Sequence, residues 1–135
     1  MKILIYGINY SPELTGIGKY TGEMASWLAA RGHEVRVVTA PPYYPAWSIH
    51  EDHRDKLYST EKIPGQPIVF RCPLYVPEKP TGLKRVAHLA SFMLGSIPVM
   101  LRQAFWQPDV VFTVEPTFFC APLALLIAQA SGVAS

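Results

Sequence analysis

Gly16 and Gly18 stand two residues apart, after the apolar run Ile3 to Tyr6 and before a segment of helical spacing. Peptide N–H groups at the start of a helix have no partner inside it and sit at the positive end of its dipole. They therefore attract phosphate oxygens. Glycine leaves no Cβ between those nitrogens and an approaching anion. The residues alone leave two roles open in equal measure: amides set against a phosphate, or a loop that merely turns into a helix. Asn9, Tyr10 and Glu13, on the loop leaving the same run, offer hydrogen-bonding groups to a sugar. Tyr43 and Tyr44 offer rings near the end of a second apolar run, and sugar sites pair polar groups with aromatic faces. The structural alternative for these tyrosines is to stiffen and cover a long loop.

Two phosphate motifs are excluded by particular residues. The stretch Gly16-Ile17-Gly18-Lys19-Tyr20-Thr21 has Thr where the dinucleotide fingerprint needs its last Gly or Ala. The second run ends Thr39-Ala40-Pro41, with no acidic residue for a ribose, so a nicotinamide oxidoreductase is disfavoured. Gly18-Lys19 resembles the end of a P-loop, but Tyr20 replaces the Ser/Thr that would hold magnesium. His50 and His53, among Glu51, Asp52, Arg54 and Asp55, read as a solvated polar face rather than metal ligands. No metal and no resident cofactor is expected.

The elements that must position these residues follow from the hydropathy pattern. Ile3–Tyr6 reads as a strand covered on both faces and Val35–Thr39 as a second buried strand, with Ile68–Cys72 and Asp109–Val114 as a third and fourth. Tyr20, Met24, Trp27, Leu28 and Arg31 fall at helical spacing, and Gly32 is placed to stop that helix. Val86–Trp106, with Pro98 expected to kink it, and Cys120–Ala130 are further apolar helices. Positions 41–67 form a long irregular excursion of the kind that usually serves function. This order predicts an α/β fold, a three-layer Rossmann-like doubly wound parallel sheet in the order 3-2-1-4. A fifth strand would be expected next, so residues 1–135 read as one domain of a longer protein.

Half of the residues are hydrophobic and 16% are charged, which suits a buried sheet and excludes a disordered segment. A net charge of +2 with no basic stripe excludes a nucleic-acid partner. Cys72 and Cys120 fit neither a disulfide framework nor a metal motif and read as reduced core thiols of a cytosolic protein. The opening Met1–Gly7 is too short in apolar residues for a signal peptide, so secretion is not expected.

The run Pro12–Tyr20, followed by Trp27–Thr39, resembles the opening of glycosyltransferase family 4. Pro-Pro-Tyr-Tyr-Pro at 41–45, Asp109–Phe112 and Glu115-Pro116 narrow the likeness to the bacterial branch that builds colanic acid and related surface polysaccharides. The resemblance implies a retaining enzyme of the GT-B fold, of which this chain is the N-terminal, acceptor-side half. The donor-binding C-terminal domain would be absent and the isolated chain inactive. It implies that Gly16 and Gly18 contact the diphosphate of a UDP- or GDP-sugar and that this domain holds the acceptor, for which Asn9, Tyr10, Glu13, Tyr43, Tyr44 and Glu115 are the candidates their types and positions offer. Glu115 has an alternative its position favours, capping the turn after the fourth strand. Thr15 replaces a second glycine common in the family, and Val114 stands where many members have a histidine. No catalytic residue is carried over.

A lipid-linked glycan acceptor would bring the protein to the inner face of the plasma membrane from the cytoplasm. Val86–Leu101, preceded by Lys84-Arg85, is shorter than the roughly 20 residues a spanning helix needs and contains Pro98. Core packing is expected for most of it, with peripheral membrane contact near Lys84 and Arg85. A different class of function, a non-catalytic acceptor-binding or membrane-recruiting subunit of a two-chain transferase, is the alternative.

Overall fold

Four apolar runs form the parallel part of the sheet; the first is buried along almost its whole length, whereas Phe112 in the last is exposed. The computed structural model describes residues 1–10, 16–41, 58–77, 82–114 and 120–131. Within them run β1 (Lys2–Tyr6), α1 (Gly16–Ala30), β2 (Glu34–Thr39), β3 (Ser59–Glu61) and β4 (Ile68–Arg71). These are followed by α2 (Gly82–Trp106), β5 (Val110–Thr113) and α3 (Cys120–Ser131). The sheet order is β3-β4-β2-β1-β5, and every pairing is parallel except β3 with β4. The four expected strands thus lie in the expected order, in an α/β Rossmann-like sheet.

Three details differ from the expectation. β3 is an added antiparallel edge strand of three residues, Ser-Thr-Glu, inside the stretch read as irregular. β4 stops at Arg71 rather than Cys72. α2 begins at Gly82, one turn early, because Leu83, Lys84 and Arg85 continue the helix while pointing into solvent. It continues through Pro98, whose missing N–H leaves one ladder bond unmade.

Side chains alternate along the strands and divide the core in two. Ile3, Ile5, Val35, Val37 and Val69 pack with Ala25 of α1 on one face. Leu4, Tyr6, Val38 and Val111 pack with Phe92, Val99 and Met100 of α2 and Ile127 and Ala128 of α3 on the other. α1 ends where Gly32 takes φ +91°. The Gly32 N–H donates to the Ala29 carbonyl at 3.1 Å and the His33 N–H to the Leu28 carbonyl at 3.3 Å. That pair of bonds needs a left-handed residue after the last turn.

The amino ends of the strands are stitched together. The Lys2 N–H donates to the Asp109 carboxylate at 2.7 Å, and the Asp109 N–H returns to the Lys2 carbonyl at 2.7 Å. The Glu34 N–H donates to the Met1 carbonyl at 3.0 Å. Arg36 stacks 4.2 Å over the Trp106 ring and donates to Gln103 Oε1 at 3.1 Å.

Cys72 is fully buried and free, and burial pushes its thiol up to about 12. At pH 8 the thiolate fraction is then about one in ten thousand, and only the thiolate is nucleophilic. Iodoacetamide at that pH is expected to leave the Cys72 peptide unmodified in the native protein and to alkylate it after denaturation. Mass spectrometry of the digest checks this; native labelling within minutes would mean that the sheet opens there.

Candidate functional site

In an open parallel sheet, ligands bind beyond the carboxyl ends of the strands, where the winding changes sides. β1 is that strand here. It is followed by α1 on one face, while α2 and α3 cover the other. The site would therefore lie above Tyr6, Thr39, Arg71 and Thr113.

α1 starts at Gly16, so Gly16 and Gly18 belong to its first turn instead of a loop ahead of it. The amides of residues 16 to 18 keep the property that matters, having no acceptor one turn earlier within the helix. Gly18 is buried, whereas Lys19 and Tyr20 beside it are exposed. The Lys19 ammonium lies 5.8 Å from the Tyr20 ring centroid and adds positive charge to the same turn.

Tyr10 is not an open contact surface. Its ring is 5% exposed and joins the cluster of Ile3, Ile5 and Val37 on the α1 face. Burial raises the pKa of its phenol, offset in part by Arg71 and reinforced by Glu61. Asn9, beside it, is half-buried. Val114 is half-buried against the same cluster, and its N–H donates to the Tyr6 carbonyl at 2.9 Å. Glu13, Tyr43, Tyr44 and Glu115, with Thr15, Trp47, His50 and His53, lie outside the described residues.

The charged residue at this edge that the sequence did not mark is Arg71, 3% exposed at the end of β4. Its Nε donates to Glu61 Oε2 at 3.0 Å and its Nη1 to the Ala40 carbonyl at 2.8 Å. Its guanidinium lies 5.8 Å from the Tyr10 ring centroid. One planar side chain thereby ties the residue after β2, the edge strand β3 and the segment after β1 into one rim. Alternation along β4 puts Arg71 on the same face as Val69, the face α1 covers. A polar residue at the last strand position usually reads as a strand stop, which is why spacing did not find it.

A groove of about 260 Å³ touches this edge at Arg71 and is otherwise lined by Tyr58, Ser59, Thr60, Phe70, Pro98, Val99 and Arg102. Neither Asn9, Tyr10, Gly16 nor Gly18 lines it.

Residues 15–134 match the family described as "Glycosyl transferase 4-like domain". The chain belongs to that family. It is also 58% identical over 132 residues to a protein of Escherichia coli (strain K12), provisionally named colanic acid biosynthesis glycosyl transferase WcaI. The alignment covers 98% of this chain and 32% of that relative, so the chain spans about a third of its length. The Rossmann-like sheet is in keeping with that family, and the resemblance to the colanic acid branch stands.

Proposed function

We propose that this chain is the N-terminal, acceptor-side domain of a retaining glycosyltransferase of bacterial surface polysaccharide assembly. Its donor is a UDP- or GDP-sugar and its acceptor a glycan carried on a lipid. The observation that carries the reading is the start of α1, the first helix after β1, at Gly16, within a chain of the glycosyltransferase 4-like family.

As the glycosidic bond to the nucleotide breaks, negative charge grows on the departing diphosphate. Backbone N–H groups fixed at a helix start meet that charge without reorganising, so they stabilise the transition state more than the ground state. The first-turn amides of α1 would do this from one side of the cleft. Paired carboxylates and the nucleotide pocket would come from a second domain. Asn9, Glu13, Tyr43, Tyr44 and Glu115 would bound the acceptor, and Tyr10 would support that rim from within the core. WcaI continues well beyond the aligned segment in one chain, which speaks against the two-subunit alternative.

The isolated chain is expected to transfer no sugar from radiolabelled UDP- or GDP-sugars to lipid-extracted glycans. A single chain continued to the full length of its relative is expected to do so. In that longer protein Gly18→Val, which keeps the amide but sets a branched side chain between it and the diphosphate, should lower kcat on the order of a hundredfold, as when an oxyanion donor is put out of reach. Circular dichroism must remain unchanged for that result to count. Turnover by residues 1–135 alone, or full activity of a folded Gly18→Val protein, would remove the basis of the proposal.

A further inference from the structure

The groove between β3, β4 and α2 has no part in the cleft proposed above. Thr60 pairs with Phe70 across β3 and β4, so both side chains rise on one side of the sheet, the side where Phe70 packs with α2. Tyr58 reaches the same side, because its hydroxyl donates to the Gly95 carbonyl of α2 at 2.8 Å. That bond braces the edge segment against the helix. Pro98, Val99 and Arg102 form the opposite wall from one face of α2. Pro98 has no N–H for the Leu94 carbonyl, so that oxygen loses its ladder donor beside the groove. The volume, about 260 Å³, falls just below the roughly 300–1,000 Å³ of drug-sized sites, which limits an occupant to a small unit.

The charges around the groove do not balance. Arg71 is matched by Glu61 at 3.0 Å, and Arg36, 5.8 Å from the Phe70 ring centroid, feels the opposite charge of Glu34. Arg102 is exposed, α2 contains no Asp or Glu, and among the described residues Arg102 makes no ion pair or hydrogen bond. One positive charge is left over. Beside it stand the Ser59 and Thr60 hydroxyls, the Phe70 ring and the Tyr58 ring, which is 45% exposed. Rings stack on the C–H face of a sugar, hydroxyls bond its oxygens, and a guanidinium fork fits a carboxylate or phosphate. A hydrocarbon occupant would use neither Arg102 nor the hydroxyls, and a bare inorganic anion would not use the rings.

We propose that this groove is a second saccharide site, holding one anionic sugar unit with its carboxylate or phosphate on Arg102 and its ring against Tyr58 and Phe70. Gly16 and Gly18 do not line it, so its occupant is a unit of the glycan remote from the reacting one. The inference rests on the transferase reading only in that the enzyme handles glycans. Its test requires no sugar transfer, so the two fail separately.

Glucuronate, glucose 6-phosphate, glucose, acetate and inorganic phosphate are to be titrated separately into the isotope-labelled full chain and followed by amide NMR. Saturable shifts are expected at positions 58–60, 70 and 98–102. At least one of the two acidic sugars should bind about tenfold or more tightly than both glucose and its own bare anion, and the tighter of the two identifies the anionic group. Arg102→Gln should weaken that binding about tenfold or more, and Thr60→Val severalfold. Both positions are exposed, so thermal midpoints should be unchanged. The proposal is overturned if no titration gives a saturable shift, or if the shifts fall elsewhere in the fold. Glucose matching both acidic sugars would overturn it too, as would acetate or phosphate matching them, because the groove would then read ring or charge alone. So would undiminished binding by Arg102→Gln.

Discussion

Arg71→Met is expected to destabilise the protein by about 2–3 kcal/mol, seen as a fall of roughly 6–12 °C in thermal midpoint. The substitution removes a guanidinium that is almost wholly buried and donates to both Glu61 and the Ala40 carbonyl. Breaking a fully buried pair from one side costs about 3–5 kcal/mol; the figure here is smaller because the Glu61 side chain is 40% exposed and regains water. What water does not restore is the Ala40 carbonyl, which loses its guanidinium donor in a buried place, or the packing against Tyr10. Arg71→Lys should recover little. One ammonium is a compact charge, whereas the two donations here come from separate nitrogens of one plane. Glu61→Gln keeps an acceptor near Nε and should cost less than Arg71→Met. If Arg71→Met unfolds at the same temperature as the native chain, the three segments of the rim are held by something else.

Gly95→Ala is expected to destabilise by about 1–3 kcal/mol, although helix propensity alone would make it stabilising by about 1 kcal/mol. A Cβ at position 95 would lie 2.6 Å from the Pro73 carbonyl oxygen and 3.3 Å from Pro73 Cγ. The first of these is backbone and cannot swing aside, so α2 or the segment after β4 must shift. Such a shift also strains the Tyr58 hydroxyl, which donates to the Gly95 carbonyl at 2.8 Å. Urea unfolding gives the sign directly. A higher midpoint for Gly95→Ala would mean that α2 sits farther from Pro73 than described.

The parallel strands were legible in sequence because a strand buried on both faces leaves an unbroken apolar run, as Ile3–Tyr6 and Val35–Thr39 do. β3 was not, since Ser-Thr-Glu at a sheet edge buries too little to leave a pattern. Which side of α2 faces outward was hidden for a related reason. A helix that exposes Leu94 and Leu101 while burying His88, Ser96 and Gln103 beside Phe92, Val99 and Met100 looks, read along the chain, like an ordinary buried helix. Only the fold shows which side is which. At the candidate site, the glycine pair could be read as the start of a helix because its chemistry is local. Arg71 could not, because its partners lie 10 and 31 positions away.

The bonds from Lys2 to Asp109 and from Glu34 to Met1 have a practical corollary. They fasten the first residues of the polypeptide to the opposite end of the sheet from the rim where Arg71 and Tyr10 meet. An affinity handle or a surface linkage attached ahead of Met1 would leave from that remote end. Sensor chips or beads loaded through it would present the carboxyl ends of the strands outward.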